Sequence, residues 1–225
     1  MKEQRGIVSK LKNTTRNQVA SYGDLYVNSV TGERAVVLRG EDDAGSPIVA
    51  HLTVQPGGAV MGEHVHPALQ ETFRVLHGRL GTRVAGADRT LEAGEDVTVP
   101  SGVPHDWWNA GETEASVLIE LTPGDPRFVQ MIGTFFGLAN AGRTGADGRP
   151  GPLQSALTGL EFDDVIRFTS PPPWVQRTAF AALGPIARLR GLRGTYPEYL
   201  RPHGSVAPDP GALAAARIEP PAAAA

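Results

Sequence analysis

Between Gly58 and Asn109 the chain sets four metal-binding side chains among short, turn-punctuated runs, and this restricts the fold more than any other feature. The stretch runs Gly58, His64, His66, Glu71 and Gly78, then resumes as Gly94, Pro100, Gly102, His105 and Asn109. His64 and His66 are two residues apart, so on a strand both imidazoles point to one face. Two imidazoles on one face are half of a metal site. Glu71 follows Pro67 and a few turn residues and can lie on the next strand, opposite the pair. His105 follows a Pro-Ser-Gly-Val-Pro turn and opens a further strand. Three neutral imidazoles and one carboxylate suit Fe(II), Mn(II), Ni(II) or Zn(II), and an octahedral ion held this way keeps two positions open.

These residues, with their glycines, Pro100 and Asn109, resemble the paired motifs of the cupin superfamily position for position. The resemblance runs over roughly Tyr22 to Pro123. It implies a mainly β fold, the cupin double-stranded β-helix or jelly-roll barrel. It also implies a metal site made by His64, His66, Glu71 and His105, with Glu71 as a candidate catalytic group. Cupins with this complete ligand set include dioxygenases, isomerases, decarboxylases and hydrolytic enzymes, so the fold does not select the reaction. The expectation is a metal-dependent enzyme on a small organic molecule, of dioxygenase type and using Fe(II), with Mn, Ni or Zn as other candidates. The alternatives are a metal-dependent isomerase or cyclase, or a non-catalytic sensory cupin that binds a small molecule.

The pattern of the remaining chain agrees with a barrel followed by helices. Leu25 to Val30, Arg34 to Leu38 and Ile48 to Val54 read as strands, separated by Gly32 and by the Gly40 to Pro47 cluster. Glu71, Phe73 and Val75 alternate onto one face, as do His105, Trp107 and Asn109. Phe73, Val75 and Trp107 are therefore candidates to line a substrate pocket, although Trp107 would serve equally as core filling and Phe73 fits the core better than a substrate contact. Asn109 is expected to fix its strand end through local hydrogen bonds. His51, His77 and His203 are expected to be ordinary packed or exposed histidines.

After Pro126 the apolar period changes to that of helices: around Phe128 to Leu138, around Leu153 to Leu160, and from Trp174 to Leu192 with a kink at Gly184-Pro185. The expected organisation is an N-terminal arm over 1–21, a barrel over 22–125 and a helical extension over 126–200. A Pro- and Ala-rich tail over 201–225 is expected to be disordered. The apolar stretch from Phe128 to Leu138 calls for cover on more than one side, which, with the resemblance, suggests a homodimer.

The formal charge of −3 and the lack of a basic stripe argue against nucleic acid. With no cysteine, disulfides, thiolate ligands and cysteine nucleophiles are excluded. No apolar run reaches the roughly 20 residues of a membrane span, and Met1 to Asn17 holds no apolar signal segment. A cytoplasmic location with a small-molecule substrate, and neither membrane nor nucleic acid as partner, is the expectation.

Overall fold

A computed structural model of the chain describes residues 20–40, 46–60 and 62–221. Most of the expected N-terminal arm and part of the Gly40 to Pro47 turn lie outside these residues.

Ten strands follow one another in the first half: β1 Asp24–Asn28, β2 Glu33–Arg39, β3 Ile48–Val54, β4 His64–Val65, β5 Gln70–His77, β6 Arg79–Val84, β7 Ala87–Glu92, β8 Asp96–Val99, β9 His105–Asn109 and β10 Ala115–Thr122. Helices α1 Pro126–Asn140, α2 Pro152–Glu161 and α3 Pro173–Leu189 come next, with β11 Arg167–Phe168 between the last two. The chain closes with β12 Gly204–Ser205 and α4 Pro210–Ala216. Each helix begins on a proline, whose fixed φ and missing N–H suit the first helical position.

The strands form two antiparallel sheets, ordered β12-β1-β2-β3-β10-β5-β8 and β11-β4-β9-β6-β7. Alternation decides what each strand contributes. In β5, Glu71, Phe73 and Val75 are buried while Gln70, Arg74 and His77 are exposed. In β9, His105, Trp107 and Asn109 face inward. One core fills the barrel with Phe73, Val75, Leu80, Leu91, Val99 and Val117. A second lies between the seven-stranded sheet and α1, joining Val37, Ile48 and Leu121 to Met131, Phe135 and Phe136. The mainly β jelly-roll with a helical extension is thus the architecture the chain adopts.

The helices fall where their period places them, and α3 runs through Pro185. Within the chain, α1 is covered on one side by the barrel and on another by the Tyr196–Leu200 segment. Gly133 and Gly137 allow that second approach, because a Cβ at Gly137 would lie 2.3 Å from the Tyr199 ring. The most exposed of the large apolar side chains belong instead to α3, where Trp174 is 72% and Leu189 89% exposed.

Two features correct the sequence reading of the C-terminal part. The sheets do not end near residue 125, because β11 pairs with β4 and β12 with β1. The Pro- and Ala-rich tail is also not disordered across its described length. Asp209 caps α4 by accepting from the Ala212 amide at 2.8 Å, and Ala212 and Leu213 pack on Leu38, Val49 and Leu118 outside the barrel. Burying Leu213 supplies about 2 kcal/mol. A composition rich in Pro and Ala hides a cap, a starting proline and a short apolar face.

Candidate metal centre

The two sheets bring His64, His66, Glu71 and His105 together. Each of the four can present one ligand atom such that all four atoms lie within 4.8 Å of one another, and all four residues are buried. β4 and β9 pair directly through His64 and His105, while Glu71 reaches across from the other sheet. Nε2 of His105 lies 3.0 Å, and Nε2 of His66 3.4 Å, from Glu71 Oε2.

The remaining ring nitrogens explain why the imidazoles are oriented this way. His64 Nδ1 is 2.9 Å from the Gly62 carbonyl, His66 Nδ1 is 2.7 Å from the Val165 carbonyl, and His105 Nδ1 is 3.0 Å from the Val103 carbonyl. A carbonyl can only accept, so each Nδ1 carries a hydrogen and each Nε2 faces the centre, where its lone pair is free for a metal once the ring is neutral. Three oriented imidazoles and a carboxylate fit a divalent transition metal.

Charge distribution points the same way. Burial alone would raise the Glu71 pKa, but the bonds from His105 and His66 outweigh it and hold the carboxylate well below its usual range. His64 is pushed down to about 3, first by burial and then by His105 and His66. Burial also works to lower His105, yet its bond to Glu71 raises it above the usual imidazole value. The cluster therefore keeps an ionised carboxylate and a neutral His64, the forms a metal needs.

The centre opens on a cavity of about 110 Å³ between the seven-stranded sheet and α1. His64, His66 and Glu71 form part of its wall, and Trp107 lines it too. Phe73 and Val75, expected to contact substrate, do not line it. They are 1% exposed and packed in the barrel core, because β5 lies across the sheet from the strands whose residues of the same rows reach the cavity, and the Phe73 ring centroid is 6.2 Å from that of Trp107. Asn109 has the structural role expected of it. Its Nδ2 donates to the Val54 and Thr113 carbonyls at 2.9 and 2.8 Å, and its Oδ1 accepts from the Gly111 amide at 2.8 Å. His51 is buried outside the cavity, 2.7 Å from Ser116 Oγ.

Several residues of the site were not identified from the sequence. Phe128 and Phe168 line the cavity from the helical extension, with ring centroids 5.4 Å from His66 and 6.2 Å from His64 respectively. Glu33 and Asn28 line it from β2 and β1. The apolar period of the first helix was the available signal for Phe128. No local pattern marks Glu33, which belongs to the site only through strand pairing.

Comparison with known proteins agrees with this geometry. The family model described as "Cupin domain" matches residues 50–121. Germin-like protein 3-3 of Oryza sativa subsp. japonica is 31% identical over 136 residues, 54% of this chain and 58% of that protein. Tetracenomycin polyketide synthase protein TcmJ of Streptomyces glaucescens is 32% identical over 94 residues, 42% of this chain and 62% of that one. Oxalate oxidase 2 of Hordeum vulgare is 33% identical over 90 residues, covering 36% and 40%. The chain therefore spans less than two thirds of the length of each of these relatives. Among solved structures, KdgF from Halomonas sp. aligns with a TM-score of 0.42 at 16% identity, over 48% of this chain and 98% of that one. With the matched segment carrying the strands and ligands described above, residues 50–121 of the chain form a cupin domain.

Proposed function

We propose that the chain is a metal-dependent oxidoreductase of dioxygenase type, acting on an apolar, oxygen-bearing small molecule. The observation that carries this reading is the continuity between the ligand cluster and the cavity. Apolar side chains make nearly all of the wall, and among the described residues no lysine or arginine lines it. Such a pocket selects flat or aliphatic molecules that present one or two oxygens to the metal. It is poorly suited to a bare dianion such as oxalate, although oxalate oxidases are among the relatives.

A divalent metal held by the three imidazoles and Glu71 would polarise a substrate oxygen and offer an open position to a second ligand. The protein's own contribution follows from its side chains. The Nδ1 bonds fix the rings before substrate arrives. Glu71, ionised, is the group we assign to accept a proton from a substrate hydroxyl. Phe128, Phe168 and Trp107 keep water from the reacting end.

The name of the Streptomyces relative favours a second reading, metal-assisted cyclisation or isomerisation of a polyketide-like molecule. Both are tested by loading the protein with Fe(II), Mn(II), Ni(II) or Zn(II) and offering catechols and aryl β-diketones under air and under nitrogen. Oxygen uptake stoichiometric with product supports the dioxygenase. Product formed equally under nitrogen supports the isomerase or cyclase. Binding without product under any metal refutes both and leaves a ligand-binding cupin.

A further inference from the structure

The cavity has a second polar end. Its wall is the inner face of the seven-stranded sheet, and strand pairing arranges that face in rows. Glu71 shares a row with Leu121 and Ile48. Glu33 shares a row with Val54 on one side and Asn28 on the other. From Ile48 to Val54 along β3 is six residues, so the rows of Glu71 and Glu33 stand roughly 20 Å apart along the strands. The rows between them present Ala50 and Val37, then Leu52, Ala35 and Tyr26, to the cavity. The metal ligands and Glu33 thus stand at opposite corners of one apolar surface.

Glu33 is 8% exposed and lines the cavity. Its Oε2 accepts from Thr31 Oγ1 and from Asn28 Nδ2, the latter at 3.4 Å. Both bonds fall on one oxygen, which leaves Oε1 for a ligand. Fixing the hairpin does not account for a carboxyl here. The Asn28–Glu33 turn is already closed by Asn28, whose Oδ1 accepts from the Val30 and Thr31 amides at 3.0 and 3.2 Å and whose carbonyl accepts from Gly32 at 3.0 Å. A carboxyl placed in such surroundings is costly, and burial pushes the Glu33 pKa up to about 7.

We infer that Glu33 is the distal anchor of the substrate pocket, accepting a hydrogen bond from a hydroxyl at the far end of an elongated apolar molecule whose chelating oxygens sit at the metal. This rests on the cavity being the substrate site. The inferred ligand class is a rod or sheet of roughly two to three rings, with a β-diketone, catechol or similar donor pair at one end and a phenol or alcohol at the other. A hydroxyl suits this corner better than an ammonium, because a cation would lose its hydration in surroundings that hold little besides one carboxyl and an amide.

The test uses a matched pair of probes, 1-(biphenyl-4-yl)butane-1,3-dione and its 4′-hydroxy derivative. Each is titrated by absorbance into the anaerobic, Fe(II)-loaded full chain and into its Glu33→Gln variant. The parent should bind the hydroxylated probe about tenfold more tightly than the other. Glutamine keeps an acceptor for Thr31 and Asn28, so the variant should retain the parent's metal content and be no less stable. Its preference for the hydroxylated probe should fall to about twofold or less. Equal affinity of the parent for both probes overturns the inference while sparing the cavity reading. So does a preference that survives in Glu33→Gln. Binding of neither probe overturns the cavity reading and the inference together. The comparison within the parent needs no substitution, so it decides the question even if the variant fails to fold.

Discussion

The carbonyl of Val165 accepts from Nδ1 of His66 at 2.7 Å, across 99 residues of sequence. The helical extension therefore takes part in the candidate metal centre. It also pairs β11 with the strand that carries His64, matching Phe168 to His64 and Arg167 to Val65. Phe162 is 1% exposed and supports this segment, since its carbonyl accepts from the Val165 and Ile166 amides at 2.8 and 2.9 Å. Phe162→Ala should cost about 3–5 kcal/mol of stability and weaken metal binding about 10- to 100-fold. Urea unfolding and competitive chelator titration measure the two effects. An unchanged metal affinity would show that His66 does not depend on this support.

The ligand set itself makes a direct prediction. Protein prepared without chelator should carry close to one divalent transition metal per chain, and replacing His64 and His66 together by Ala should abolish it. Glu71→Ala should retain part of the affinity, because three imidazoles remain. Metal analysis of the dialysed proteins checks this, and full metal content in the double variant would place the site elsewhere.

Apolar ligands should be sensitive to the aromatic wall and the metal should not. Phe128→Ala should weaken an aryl β-diketone about tenfold while leaving metal content at the parent's level. Trp107→Ala should do the same with an added stability loss of about 3–5 kcal/mol, since Trp107 also belongs to the barrel core. Absorbance titration beside metal analysis separates the two properties, and loss of metal from Phe128→Ala would contradict the assignment.

Glu33 should give stability an unusual dependence on pH. Its pKa is raised from 4.5 to about 7 on folding, so the folded chain holds that proton more tightly than the unfolded chain. The contribution is fully present below pH 4.5 and is lost as pH rises through 7. The difference in pKa corresponds to about 3 kcal/mol, which Glu33→Gln should recover on the alkaline side. His64, depressed to about 3, acts in the opposite direction at lower pH, but it is common to both proteins and cancels in the comparison. Urea unfolding of metal-free parent and variant at about pH 5 and pH 8 should show the gap between them shifting by that amount. A constant gap would mean that Glu33 titrates normally.

Much of the site was legible in the sequence because it depends on local rules. The spacing of His64 and His66 forces them onto one face of a strand. The alternation from Glu71 to Val75 and from His105 to Asn109 fixes which side chains point inward. Alternation gives the face and not the position across the sheet, which is why Phe73 and Val75 share the face of Glu71, and rows with the cavity-lining Ala50 and Leu52, and still fall outside the cavity. The contributions of Val165, Phe168 and Glu33 were illegible for a related reason. Each comes from strand pairing between distant segments, and no periodicity records such pairings. In the tail, the Pro- and Ala-rich composition points to disorder, while the Asp209-Pro210 start signal is the local cue to the small helix that folds there.

The short strand β12 has a consequence for the sheet's outer edge. It covers β1 over Asp24 and Leu25, and His203 continues the cover by accepting the Val27 amide at 3.0 Å. Without these few residues β1 would be an open edge, with free amides in register to recruit another chain. Nicking the chain just before Arg201 would therefore leave the ligand cluster intact and expose a template for edge-to-edge association. By this arrangement the segment closes one edge of the larger sheet, although it contributes nothing to the wall of the cavity.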